Sequence, residues 1–343
     1  MAYGHFETSS DSRRGGPARR NVEWPTVALI AFCYGAWLAA GTVGWAISPA
    51  PALFVLTLAV ALQSSLMHEA SHGHPTRNGL VNEALVGLPI GLVYPYRRFR
   101  TLHLRHHADE RLTDPFDDPE SWYQALWKHR RMPRFLQRLL AFNNTMIGRF
   151  LIGPAISNVA FLLSDWKLLR AGDPAVQRAW RHHLVGLLVL VPLLVFAFRM
   201  PLWLYLVPVY LGQSIISIRT FAEHQWSERP DGRTIIVERS PLSLLFLNNN
   251  LHLVHHQQPT VPWYELPGLF RARREEWVRM NGGYVFANYF ALFRAFALRP
   301  KEPVVHPVLR RSPEPGRAFR PLVREHSVHG LESAPVPAEP SKE

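Results

Sequence analysis

Residues 25–48 carry no charged side chain at any of 24 consecutive positions. A helix rising 1.5 Å per residue over that length crosses the roughly 30 Å hydrocarbon layer of a bilayer. There every backbone N–H and C=O must find its partner inside the segment, which excludes a lipid-exposed loop or an open sheet edge. Ser48, Pro49 and Pro51 interrupt the run, and residues 52–67 form a second uncharged stretch that ends on His68. Proline here stops one helix and starts the next. The two helices make a hairpin, which brings the chain back to the side it left.

A second pair of apolar runs, 184–198 and 202–218, is separated by Arg199, Met200 and Pro201. The first of them starts near His182 and His183, read as interfacial anchors rather than ligands. Residues 79–96 are apolar but contain Asn82, Glu83, Pro89 and Pro95, which suits an interfacial or re-entrant segment better than a span. Residues 122–182 mix Trp, Leu and Phe with Lys128, Arg130, Arg131, Arg134, Arg138 and Arg149. This is the pattern of basic amphipathic helices lying at the interface, and the uncharged stretch 150–163 is short for a span.

The expected fold is an all-α integral membrane protein of two transmembrane hairpins, about four spans, with a cytoplasmic helical cap. Arg13, Arg14, Arg19 and Arg20 share one side of the first hairpin with Arg77, Arg97, Arg98 and Arg100, while the loop at Pro49 is uncharged. The positive-inside rule makes the arginine side cytoplasmic. Residues 1–22 are expected to be a disordered basic tail, and not a secretory signal, since the apolar run behind it is too long. Residues 23–300 form the membrane domain, and 301–343, rich in proline and charge, a disordered tail.

The net charge of +12 admits an anionic membrane surface or nucleic acid as partner. The basic residues flank apolar spans and no nucleic-acid motif accompanies them, so the membrane is the expected partner and nucleic acid is not. With one cysteine, Cys33, the chain has no internal disulfide, no CxxC zinc site and no cysteine-held iron–sulfur cluster.

Three histidine clusters stand at the ends of these apolar segments: His68 and His72; His103, His106 and His107; His252, His255 and His256. Residues three or four apart lie on one side of a helix, so each cluster converges. Eight imidazoles exceed the four ligands of a tetrahedral zinc, and the number favours two metals. Four spans in two hairpins place all three clusters, and His224 after the last span, on one face; an odd number in either half would scatter them. His68 to His72 is also an H-E-x-x-H sequence, the zinc-protease motif in which Glu69 would be the base. That reading leaves the other two clusters without a role. The loop with Asp114, Asp117, Asp118 and Glu120 is either a solvated turn or the source of a carboxylate that orients an imidazole.

The set HxxxH, HxxHH and HxxHH at the ends of two hydrophobic hairpins resembles the membrane fatty acid desaturase superfamily, over roughly residues 25–290. Matching features are Asp117, Asp118, Pro119 and Glu120 after the second box, the isolated His224, and the stretches 255–259 and 262–267 after the third. The resemblance implies a non-haem di-iron oxidoreductase using dioxygen as co-substrate. Its ligands would be His68, His72, His103, His106, His107, His252, His255 and His256, with His224 the ninth. Thr220 stands where some relatives carry an asparagine that reaches a metal through water. Asn248 is either its substitute beside the metal or, more in keeping with an Asn run, a helix cap. His74, beyond Gly73, reads as a polar residue beside the site. Asp114, Asp117, Asp118 and Asn248 are the candidates for outer contacts to the ligands.

The expected activity is acyl-lipid desaturation, creating a C=C bond in a fatty acyl chain, with hydroxylation or ketolation of a lipid or carotenoid as the alternative. An aliphatic C–H bond yields to neither a general base nor a zinc hydroxide, so a redox metal with dioxygen is needed. No fused electron-transfer domain is visible, so a separate donor of ferredoxin, rubredoxin or cytochrome b5 type is expected. A membrane metal-binding or transport protein is disfavoured because the spans contain no histidine or carboxylate in mid-membrane.

Overall fold

The computed structural model describes residues 22–108 and 112–308. Among the described residues the regular structure is helical apart from one two-stranded parallel pairing. The helices are α1 (Trp24–Ile47, with a π turn at Ala40–Gly44), α2 (Pro49–Ser71), α3 (Gly79–Val86), α4 (Tyr96–Ala108), α5 (Leu126–Arg131), α6 (Arg134–Asn143), α7 (Met146–Arg170), α8 (Pro174–Ala197, ending in a π turn) and α9 (Leu202–Glu223). After β1 (Ile236–Val237) come α10 (His252–Gln257), α11 (Leu266–Ala272) and α12 (Arg274–Met280). Then β2 (Val285–Phe286) pairs with β1, and α13 (Tyr289–Phe296) follows.

Helix starts follow local chemistry. Pro25, Pro49 and Pro174 stand in the first turns of α1, α2 and α8, where no N–H is required. Asn78, Thr145, Asp173 and Asn288 cap α3, α7, α8 and α13 by accepting backbone N–H groups. The chief core lies between α1, α2, α8 and α9, with Trp37, Leu56, Val60, Leu66, Leu190, Leu194, Phe198 and Tyr205 buried together. Gly212 lets α9 approach α2 closely, since a Cβ there would stand 2.9 Å from that of Val60. The outer surface is equally apolar: Phe32, Phe54, Leu188, Phe196 and Trp203 are 63–77% exposed. Large apolar residues on both sides of a helix are what lipid contact requires, and the chain is a multi-pass membrane protein.

Five helices, α1, α2, α7, α8 and α9, are long and apolar enough to cross a membrane, where the sequence pattern indicated about four. The addition is α7. Arg149 and Asp165, which bound the uncharged stretch, lie inside this helix and are buried. The Arg149 guanidinium stacks 3.5 Å over Trp122, and Asp165 pairs with Arg98 at 2.8 Å and accepts from the Trp180 indole. Both ends of α7 are thereby tied to the histidine-bearing side. Met146 packs with Phe221 and Ala222 just ahead of His224, and Asp165 meets α4 five residues before His103.

The segment 87–95 dips among the spans as non-helical backbone. Its carbonyls accept from side chains at depth: Tyr205 to Ile90 at 2.9 Å and His183 to Leu92 at 2.7 Å, while Gln63 caps Val86 at 2.9 Å. Irregular backbone at that depth persists only when so satisfied. His183 is thus a buried donor, not a surface anchor. The folded domain also runs past residue 300, since residues 301–306 are stitched to Gln124 and Asn144. The tails 1–21 and 309–343 lie outside the described residues.

Candidate metal centre

His68 stands in the last turn of α2 and His72 directly after it. α4 carries His103, His106 and His107, α10 carries His252, His255 and His256, and His224 follows α9. Nine ring nitrogens converge in two sets, within each of which the nitrogens lie within 4.8 Å of one another. The first holds His68, His72, His103, His107 and His255; the second holds His106, His224, His252 and His256. All nine histidines indicated by the sequence are brought together.

The two HxxHH boxes do not each serve one set. On a helix, i+4 lies 40° from i in one sense and i+3 lies 60° away in the other. α4 accordingly sends its i, i+4 pair, His103 and His107, to the first set and His106 to the second. α10 reverses this, sending His252 and His256 to the second set and His255 to the first.

Behind the rings, Asp118 Oδ1 accepts from His106 Nδ1 at 2.8 Å and Glu120 Oε1 from His103 Nδ1 at 2.9 Å. Asn249 Oδ1 accepts from His252 Nδ1 at 2.9 Å, and its Nδ2 donates to Glu223 at 3.2 Å, which in turn pairs with Arg219 at 2.8 Å. Of the expected outer contacts, Asp118 occupies that place. Asp114 closes the loop by accepting the Phe116 amide. Asn248 neither reaches the rings nor caps α10; its amide donates to the Trp263 carbonyl. Leu247 and Asn248 are both left-handed (φ 51° and 55°), and this reversal turns the next residue, Asn249, inward. Thr220 bonds back to the Ser217 carbonyl. Gly73, at φ 90°, turns His74 away to Glu23, 2.7 Å distant. Glu69 accepts the Trp263 amide and belongs to that separate buried group with Glu23 and His74, not to the ligand sets.

Asn249, Glu223 and Arg219 are not singled out by the sequence, and Glu120 is offered only as one carboxylate of the acidic loop. Glu120 had a signal, since it closes the acidic stretch after the second box; so did Glu223, a carboxylate at the end of an apolar span.

Burial, reinforced by the neighbouring His103, pushes His72 down to about 2, and burial pushes His224 down to about 3. His107, His252, His255 and His256 are lowered by burial and by one another. His106 is the exception: burial opposes its cation, but Glu120 and Asp118 outweigh this and raise it to about 9. Apart from His106, the rings are therefore neutral donors with lone pairs facing one another. His224 Nε2 lies 3.0 Å from Nε2 of both His106 and His252, and His72 Nε2 lies 2.9 Å from that of His103. With Nδ1 of His103, His106 and His252 already committed to acceptors, the inward nitrogens lack the protons to satisfy each other. A cation at the centre of each set resolves this, and imidazole suits iron, copper, zinc or nickel. The donor set fits a pair of transition-metal ions.

Residues 44–288, which include every one of these histidines, match the family model described as fatty acid desaturase. The chain belongs to the fatty acid desaturase family. A search of curated proteins gives no significant match. As a fatty acid desaturase family member the protein is a membrane oxidoreductase that acts on lipid, and its histidine boxes are the clusters just described.

Proposed function

We propose that the protein is a dioxygen-dependent di-iron acyl-lipid desaturase, with one iron held by His68, His72, His103, His107 and His255 and the other by His106, His224, His252 and His256. The observation that carries this reading is the division of nine imidazoles into two adjoining convergent sets at one end of a membrane helix bundle. When bound, the iron pair supplies the oxidising power toward dioxygen that an unactivated C–H bond demands.

The chain's own residues do the rest. Asp118, Glu120 and Asn249 hold the Nδ1 protons of three ligands, fixing the tautomer that presents Nε2 inward. Asp118, Glu120 and Glu223 place negative charge around a ligand set that has none. The apolar spans ending at His68 and His224 exclude bulk water and leave an acyl chain in the bilayer within reach of the centre. Two adjacent C–H bonds break and one C=C bond forms; with two electrons from a separate donor of ferredoxin, rubredoxin or cytochrome b5 type and two protons, dioxygen leaves as two waters. The arginines at the histidine end support a cytoplasmic location for that end and offer an acidic donor a basic face.

The test is iron content together with product mass on membranes expressing the protein or its His106→Ala variant, fed lipid precursors in air. About two irons per chain and a product two mass units lighter, absent from the variant, are expected. A product sixteen units heavier moves the assignment to hydroxylation, and a single zinc with neither product overturns the reading.

A further inference from the structure

α9 stops at Glu223, and His224 follows it in extended backbone (φ −128°, ψ 146°). The last carbonyls of a helix find no donor within their own helix. Around His224 they are met by chain from beyond it. Tyr284 donates to Ala222 at 2.5 Å, the Ile235 amide to Glu223 at 3.0 Å, and Lys301 Nζ to the carbonyls of both Phe221 and His224 at 2.6 Å. The third ammonium proton faces the Tyr284 hydroxyl at 3.2 Å, so all three donors of Lys301 are engaged at this helix end. Its charge also meets the negative end of the helix dipole. Glu302 takes the other flank, accepting from the Trp226 amide at 2.9 Å and from the Tyr123 hydroxyl. Asn144 holds the pair in place: its carbonyl accepts from the Lys301 amide at 2.9 Å, and its side chain donates to the Glu302 carbonyl at 3.1 Å.

His224 lacks the support that three of its neighbours have. A metal-bound imidazole is ordinarily oriented by an acceptor on its second nitrogen. His103, His106 and His252 have one, in Glu120, Asp118 and Asn249. His224 Nδ1 is buried without a partner among the described residues. Its ring is therefore aimed through its backbone, which is held by a bridge to Thr234 and, from beyond the matched residues 44–288, by Lys301 and Glu302.

We propose that Lys301 is a positioning residue for the four-histidine metal set, replacing through the backbone the ring contact that His224 lacks. This rests on the di-iron reading, and the experiment separates the two. Iron per chain is measured on purified protein after graded exposure to a chelator, for the wild type and for Lys301→Arg, Lys301→Gln and Lys301→Met, with Mössbauer spectra distinguishing the two sites. Expected is a wild type with about two irons. Lys301→Met and Lys301→Gln should release one of the two at ~10–100-fold lower chelator concentration, with the five-histidine iron retained and Lys301→Arg restoring most of the difference. If Lys301→Met does not fold, Lys301→Gln, which keeps a donor, decides the matter. Wild-type resistance at both sites in the glutamine or methionine variant, or equal loss from both sites, overturns the proposal. A wild type that never holds two irons refutes the di-iron reading itself.

Discussion

Asp118→Asn is the most informative single change behind the metal ligands. The carboxylate makes three contacts: Oδ1 accepts from His106 Nδ1 at 2.8 Å and from the Glu120 amide at 2.9 Å, and Oδ2 accepts from the Thr113 amide at 2.8 Å. All three partners are donors, and asparagine keeps the shape but has one acceptor oxygen. If that oxygen stays toward His106, the new NH2 faces the Thr113 N–H, stranding a buried donor at about 1–3 kcal/mol. If it turns to Thr113, His106 loses the acceptor that keeps its proton on Nδ1, and the tautomer with Nε2 inward loses its preference. Either way the cost falls on the four-histidine set, and its iron affinity should drop ~10–100-fold, or about 1.4–2.7 kcal/mol. The assay is iron per chain against chelator concentration, with circular dichroism to show that the helices persist. An Asp118→Asn protein that holds both irons as tightly as wild type refutes the assignment of Asp118 as the partner that orients His106.

Three further outcomes are expected. Asn249→Ala should lower iron retention while Asn248→Ala leaves it near wild type, since only Asn249 touches a ring; the reverse order in an iron assay would contradict the inward turn at 247–248. Tyr205→Phe removes the oxygen that accepts from Trp37 Nε1 at 2.8 Å and donates to Ile90 at 2.9 Å. It should cost about 1–3 kcal/mol for each stranded group, and less in a Trp37→Phe background, as a double-mutant cycle of detergent unfolding would reveal. Metal-free protein should lose stability as pH falls below about 6.5. There the unfolded chain takes up protons that His72 (about 2) and His224 (about 3) refuse while folded. His106, raised to about 9, contributes in the opposite sense, its share being full below 6.5 and lost as pH rises through 9. Unfolding midpoints measured across pH 4–10 on the metal-free chain would expose both flanks.

The sequence makes the ligands legible because metal chemistry restricts residue type and helical spacing together. Hairpins are legible for a similar reason: bilayer thickness sets a minimum length. What it hides depends on contacts between distant segments. α7 is concealed because Arg149 and Asp165 read as ends of an apolar run, and only their partners, Trp122 and Arg98, let them sit inside a helix. Three consecutive asparagines offer no basis for choosing the inward one until two left-handed residues fix the turn. Lys301 sits at the start of a stretch whose proline and charge resemble a tail, and its role exists only where α9 leaves carbonyls open.

The crossed allotment of the two HxxHH boxes has a consequence for how the centre keeps its dimensions. Because α4 and α10 each contribute to both sets, sliding or rotating either helix displaces donors of both sets together. The separation between them is spanned by covalent backbone within a single helical turn, and not by the fit of one helix against another. In the proposed di-iron reading, bonded geometry within α4 and α10 would thus help to set the spacing of the two sites.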